Sequence, residues 1–170
     1  MSNQNTHETL AGQDPEPVKA EVYKQLIKKL ESLMQDESDF IANVSNLCAL
    51  LHAEFDFHWV GIYRVVGKQL VLGPFQGPVA CTRIDYGKGV CGQAWKQQRA
   101  LIVDDVDAFP GHIACSALSR SEIVLPIFGG AAEVLAILDI DDRALARFDD
   151  TDRLYLEQCL TVLTRSSDLL

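Results

Sequence analysis

The segment Asp104 to Pro126, read DDVDAFPGHIACSALSRSEIVLP, constrains the fold more than any other stretch of this chain. Phe109-Pro110-Gly111 cannot lie inside a helix without a large local cost, since proline has no N–H to donate and the Pro-Gly pair favours a turn. A loop is therefore specified, and it carries Cys115 with His112 three residues earlier. The apolar run that follows begins with a carboxylate, Glu122, and reads as a strand. A thiol on such a loop, with a histidine nearby and further cysteines at Cys81 and Cys91, is in an environment where its pKa can fall. A cysteine without that context is more often a buried structural residue.

The remaining elements fall around this loop. Residues 1–17 are polar, contain Pro15 and Pro17 and show no periodicity, so a mobile tail is expected before one domain over 18–170. From Val18, the positions Val22, Leu26, Leu30, Leu33 and Met34 follow helical spacing. Ser38 is a candidate N-cap for a second helix that gathers Phe40, Ile41, Val44, Leu47, Cys48 and Leu51 on one side, which makes Cys48 structural. The aromatic and β-branched run 57–65 suits a strand, with Trp59, Gly61 and Tyr63 on one face and His58, Val60, Ile62 and Arg64 on the other. A turn at 66–69 leads to a strand over Leu70–Leu72, an irregular stretch over 73–78, and a pairing segment from Val79 to Ile84 that contains Cys81.

Residues 86–95 read as a glycine-bearing loop entering a short helix. The loop has neither G-x-G-x-x-G nor the G-K-[ST] ending of a phosphate cradle, so close backbone approach is the better use of Gly89 and Gly92. A short strand over Leu101–Val103 precedes the Cys115 loop. The strands Ile123–Phe128 and Glu133–Ile140, joined at Gly129-Gly130, form a second hairpin, and two hairpins in succession indicate an antiparallel sheet. Asp149 to Asp152 open a last helix with Leu156, Leu160 and Leu163 turned inward.

Composition narrows the partners. The chain has 170 residues, a size at which about two thirds of the unfolded surface is buried on folding. A hydrophobic fraction of 48% and a charged fraction of 23% are those of an ordinary globular protein. There is no apolar run of the roughly 18 residues needed to span a bilayer, and the N-terminus lacks the basic and apolar regions of a secretion signal, so a cytoplasmic protein away from membranes is expected. The net charge of -9 opposes a phosphate backbone and excludes nucleic acid as a partner. Five cysteines without a secretion signal argue for reduced thiols, with any disulfide transient and chemical. There is no C-x-x-C pair, so no metal site is expected.

The acids of Leu138-Asp139-Ile140-Asp141 are two residues apart, which on an extended strand turns both to one face about 7 Å from each other. Carboxylates held close, and buried, raise each other's pKa, so that one can stay protonated near neutrality and donate a proton. If Glu122 joins them from a partner strand, three carboxylates form a site for an ammonium group or for an oxygen that needs a proton. The competing reading is a strand end reaching solvent.

The runs WVGIY, LVLGPFQGPVAC, GVCGQAW, DDVDAFPGHIACSALSRSEIVLPIF and LDID together resemble the free methionine-(R)-sulfoxide reductases, over roughly residues 20–168. The resemblance implies an α+β fold, a GAF-like domain with a central six-stranded antiparallel sheet flanked by helices. It implies reduction of free methionine-(R)-sulfoxide to methionine, recycling by thioredoxin, no cofactor, and a homodimer as in many members. Residue by residue, Cys115 matches the attacking thiol, Cys81 the resolving cysteine, and Cys91 a third cysteine whose part varies. Glu122, Asp139 and Asp141 match substrate-binding carboxylates, and Trp59 and Tyr63 match an aromatic wall. The hairpin 129–133 is a residue longer than the family pattern, which bears on Asp139, and Asp142 follows the LDID motif. The alternative is a GAF-type module that binds a small molecule or senses redox state without turnover.

Overall fold

The computed structural model describes residues 18–113 and 116–169; the expected tail 1–17 and Cys115 lie outside the described residues. A six-stranded sheet runs through the molecule in the order β3-β2-β1-β6-β5-β4, with β1 Trp59–Val66, β2 Gln69–Gln76, β3 Arg83–Asp85, β4 Leu101–Val103, β5 Ser121–Phe128 and β6 Val134–Asp142. Every strand pairing is antiparallel, as the two hairpins imply.

Side chains alternate between the faces of a strand, and both faces of this sheet are covered. On one face Val60, Ile62, Ile123, Leu125, Leu138 and Ile140 pack against helices α1 (Lys19–Leu33), α2 (Phe40–Phe55) and α4 (Asp150–Ser166). On the other, Trp59, Tyr63, Val124 and Ile137 pack against α3 (Gly89–Gln97), with Val90, Cys91 and Ala94 facing in. The central strands are therefore buried on both sides, and their sequences are apolar almost throughout. Residue parity alone decides which of two interiors each side chain enters.

Several local expectations change in the folded chain. In α1 the inward residues are Tyr23, Leu26 and Leu30, followed by Met34 at the C-cap, while Leu33 is half exposed. Tyr23 displaces the expected stripe because its hydroxyl donates to Asp152 Oδ1 at 2.8 Å and its ring stacks on Tyr155, which turns the helix towards α4. Helix α2 is capped by Asp39, which accepts from the Ala42 N–H, because the Ser38 hydroxyl is engaged by Asp168. Strand β2 continues through Gly73-Pro74-Phe75, where an irregular stretch was expected. An extra residue on β2 opposite Ile62 makes a bulge there, which accommodates a proline that has no N–H for the ladder. Strand β3 is confined to Arg83–Asp85, so Cys81 lies in the segment before it rather than within a strand. The expected second hairpin strands extend to Ser121 and Asp142.

The 129–133 hairpin closes on a bulge. Between Ile127 and Phe128 the pairing of β5 with β6 shifts, leaving Leu135 as an additional residue on β6, and from Ile127↔Ala136 to Ser121↔Asp142 the register is regular. Asp139 and Asp141 thus keep their parity.

Helix α4 begins with a reciprocal capping box between Asp149 and Asp152. Asp152 is fully buried, accepting from Tyr23 and from the Lys19 ammonium at 2.6 Å as well as from the Asp149 N–H. Removing it strands the buried Tyr23 hydroxyl, takes a partner from Lys19 and frees the helix start. Asp152→Ala is expected to destabilise the protein by about 3 kcal/mol and lower its melting temperature by about 6–12 °C in calorimetry. Tyr23→Phe, which loses one neutral donor only, is expected to cost about 1 kcal/mol.

Candidate active site

The register of the three central strands assembles the site. Trp59 on β1 pairs with Asp141 on β6, which pairs with Glu122 on β5. Two residues along, Gly61 pairs with Asp139, which pairs with Val124; beyond them lie Tyr63 and Ile137. In-register neighbours share a face, so Trp59, Tyr63, Glu122, Asp139 and Asp141 all point to the side covered by α3. They line one pocket together with Cys91 and with Val79, Ala80, His112, Ser116 and Ser119 from the flanking loops. Of the residues singled out in the sequence, these six side chains converge, and the D-x-D pair is not a solvated strand end.

Gly61 permits the aromatic wall. A Cβ there would stand 2.1 Å from Trp59 Cη2, so the indole lies flat across the glycine. The ring also stacks on Phe75 at 5.5 Å and on Tyr63 at 5.9 Å between centroids. The polar ends of both aromatics are occupied: Trp59 Nε1 donates to the Pro78 carbonyl at 3.1 Å and Tyr63 OH to the Cys81 carbonyl at 2.9 Å. Their apolar faces are left to the pocket, and the backbone at Cys81 is tied to the sheet. Burial, followed by the charges of Asp139, Cys91, Asp141 and Glu122, raises the Tyr63 pKa, so the phenol keeps the proton it donates. Sequence reasoning gave these two residues a wall and missed this anchoring; an aromatic with a polar tip is the general signal for it.

The electrostatics centre on the acids. Glu122 and Asp139 are 5% and 7% exposed. The ligand atoms of Cys91, Glu122 and Asp139 lie within 4.8 Å of one another, with Cys91 Sγ 3.8 Å from Glu122 Oε1. Burial, reinforced by Asp139 and then Asp141, holds the Glu122 carboxyl well above the usual range. Burial and Asp139 do the same for Asp141, against a hydrogen bond from Ser119. Asp139 is raised by burial to about 6, with hydrogen bonds to Cys91 and Glu122 pulling it down. Glu122 and Asp141 therefore hold protons at neutral pH, and a buried Asp139 Oδ1 has no hydrogen-bond partner. Such a site can give a proton to an oxygen or take the charge of an ammonium group.

The cysteines divide by environment. Cys48, Cys91 and Cys159 are buried free thiols, whereas Cys81 is disulfide-bonded. Burial pushes the Cys48 thiol up to about 12, in keeping with a structural residue. Cys91 is also pushed up, by burial and then by the Asp139 and Glu122 charges, so it is a thiol that donates to Glu122 and not a thiolate. His112 lines the pocket with its pKa lowered by burial, so it supplies no standing positive charge to the loop. Ser116 and Ser119 line the pocket and His58 reaches it through Ser116; the sequence did not single them out for the site, since serines and a lone histidine carry no spacing signal. Gly92 approaches closely, as expected: a Cβ there would meet the Asp85 carbonyl at 2.7 Å. Gly89 instead serves a left-handed backbone, with φ +60° at the start of α3. Among the described residues no helix is long and apolar enough to cross a membrane.

The family model that matches is the GAF domain, over residues 37–163. GAF domain-containing protein A of Dictyostelium discoideum is 51% identical over 146 residues, covering 85% of this chain and 92% of that protein. The free methionine-R-sulfoxide reductase of Escherichia coli is 42% identical over 148 residues, covering 86% and 89%. Among solved structures, the free methionine-R-sulfoxide reductase from Neisseria meningitidis in complex with its substrate superposes with a TM-score of 0.86 at 47% identity, covering 92% of this chain and 94% of that one. Fold, extent and identity agree over nearly the whole length, and the chain belongs to the GAF-fold free methionine-(R)-sulfoxide reductase family.

Proposed function

We propose that the protein reduces free L-methionine-(R)-sulfoxide to methionine with thiol chemistry, and that residues 18–170 act as one catalytic unit. The observation that carries this reading is a buried cluster of three carboxyl groups with raised pKa values facing an aromatic wall, in a pocket whose rim includes the segment tied down beside Cys81. The names of the relatives support the same substrate.

In the proposed reaction the Cys115 thiolate attacks the sulfoxide sulfur while a carboxylic acid, Glu122 being the best placed, protonates the oxygen. The oxygen passes to Cys115 as a sulfenic acid and methionine leaves with the electron pair. The Cys81 thiol then displaces water from the sulfenic acid, giving a disulfide. A dithiol such as thioredoxin restores both thiols by exchange, supplying the two electrons. Cys81 suits the resolving role because it is the pocket-side cysteine already in a disulfide, while the Cys91 thiol is committed to Glu122. The Trp59 face suits the methyl-sulfur end, where a sulfur-aromatic contact contributes up to about 1.5 kcal/mol. Asp139 and Asp141 suit the ammonium group, which favours a free amino acid over a peptide.

Cys115→Ser is expected to release no methionine in a single turnover. Cys81→Ser is expected to release about one methionine per chain and then stall, because its sulfenic acid has no partner. Full release by Cys115→Ser reassigns the nucleophile. In the unsubstituted protein, the R epimer is expected to consume two thiols with matching methionine and the S epimer none, whereas reaction with peroxide alone sinks the enzyme reading.

The acids give a pH signature. The general acid must be protonated, so kcat/KM is expected to fall as pH rises through the raised pKa of the cluster. Glu122→Gln is expected to lower it by about 10²–10⁴-fold. Stability runs in the same sense. Asp139, raised from 3.8 to about 6, binds more protons folded than unfolded between those values, so its stabilising contribution is present below about pH 4 and is lost as pH rises through 6. Asp139→Asn is expected to melt about 3–6 °C higher than the unsubstituted protein at pH 7.5, with the gap closing at pH 4, while losing activity.

A further inference from the structure

A hydrogen-bonded chain of side chains enters the pocket from the end of β6 and is not used by the reaction above. Arg143 Nε donates to His58 Nδ1 at 3.0 Å, and His58 Nε2 lies 3.0 Å from Ser116 Oγ. A guanidinium can only donate, so Nδ1 must accept; the imidazole is then neutral and its single hydrogen sits on Nε2. Burial, then the Arg143 charge, lowers the His58 pKa against the pull of Asp142, which agrees with a neutral ring at pH 7. The direction of the chain is thus fixed: Arg143 donates to His58, and His58 donates to Ser116.

At Ser116 the same oxygen also accepts from the Leu118 N–H at 3.2 Å. A hydroxyl oxygen has two lone pairs and one hydrogen. With both pairs taken, Ser116 is left as a donor, and it lines the pocket that holds the acids. His112, beside it on the same rim, has a buried Nδ1 without a hydrogen-bond partner. The pocket therefore has two chemically opposed ends. Asp139, raised only to about 6, is charged at neutral pH and repels an anion at the sheet, while Ser116 offers a hydroxyl that the protein itself has barred from accepting.

We infer that the Ser116 hydroxyl, oriented through Arg143 and His58, is the subsite for the α-carboxylate of the amino-acid ligand. Ser116 touches the ligand, and His58 and Arg143 are positioning residues. This rests on the reductase reading and adds to it a reason for preferring a ligand with a free carboxylate.

The test compares methionine-(R)-sulfoxide with its α-carboxamide, in which the charge is absent and the rest of the molecule is kept. A hydrogen bond to a charged group is worth about ten-fold or more in affinity. In Ser116→Ala the ratio of kcat/KM for acid over amide is expected to fall about tenfold, and His58→Leu, which leaves Ser116 free to turn its hydrogen elsewhere, is expected to move the ratio in the same direction. A structural defect would lower both substrates together, so an unchanged ratio in Ser116→Ala overturns the subsite while leaving the reductase reading intact. An unsubstituted protein that reduces neither compound overturns the reductase reading and the subsite with it.

Discussion

Strand register between β1, β6 and β5 is the constraint on which the site depends. Because the sheet separates two interiors, a side chain on the wrong parity does not reach solvent; it enters the other core. A slip of one residue in β6 would turn Asp139 and Asp141 into the apolar layer formed with α1, α2 and α4, and bring Leu138 and Ile140 to the pocket. Burying an unpaired acid costs several kcal/mol, so the alternative register is penalised at two residues at once. The bulge at Leu135 fits this picture, since it takes up hairpin length before the acids are reached and leaves them in phase with Trp59 and Glu122.

What could be read from the sequence follows from the range of the interactions. The β1 and β6 faces were legible because alternation is local: Trp59-x-Gly61-x-Tyr63 and Asp139-x-Asp141 declare their parity without reference to other strands. The convergence of Glu122 with them was legible only as a condition, since pairing partners are set by the fold. Cys81 was misplaced in a strand because Val79 to Ile84 has strand-like composition, yet its carbonyl is held from outside by Tyr63, and that of Pro78 just before the segment by Trp59. Tyr23 was overlooked in α1 for a similar reason: helical spacing weighs apolarity, and the residue that decides the helix face does so through a hydroxyl bonded to Asp152, 129 positions away. Ser116, Ser119 and His58 left no trace in the sequence, being common residues whose meaning comes from the atoms beside them.

The acid cluster and the capping carboxylate make opposite use of burial. Asp152 is surrounded by donors, from Lys19, Tyr23 and the backbone of Asp149, so its charge is compensated and it closes the junction of α1 and α4. Glu122, Asp139 and Asp141 face one another and a thiol, so burial is poorly compensated, all three pKa values rise, and Glu122 and Asp141 retain their protons. A cluster of that second type is a poor way to hold a fold together and a suitable way to keep an acid in its donating form at neutral pH. The stability lost there is offset elsewhere, in a continuous apolar layer beneath the sheet.

Cys91 belongs to this economy. In the proposed reaction a second free cysteine lining the substrate pocket is a hazard, since it could form a competing disulfide, and a lowered pKa would make it more reactive. Here burial and the neighbouring acids act in the reverse direction, keeping the thiol protonated and engaged with Glu122. The same negative field that suits a cationic ligand group thereby suppresses an unwanted nucleophile. In the proposed reaction that field also opposes formation of the Cys115 thiolate, and His112, neutral in its buried setting, does not relieve it. In the proposed reaction the field is reduced when the substrate's ammonium group enters, so thiolate formation and substrate binding favour each other. Under that proposal a quiet thiol in the free protein and an active one in the bound complex follow from the coupling, without a conformational switch.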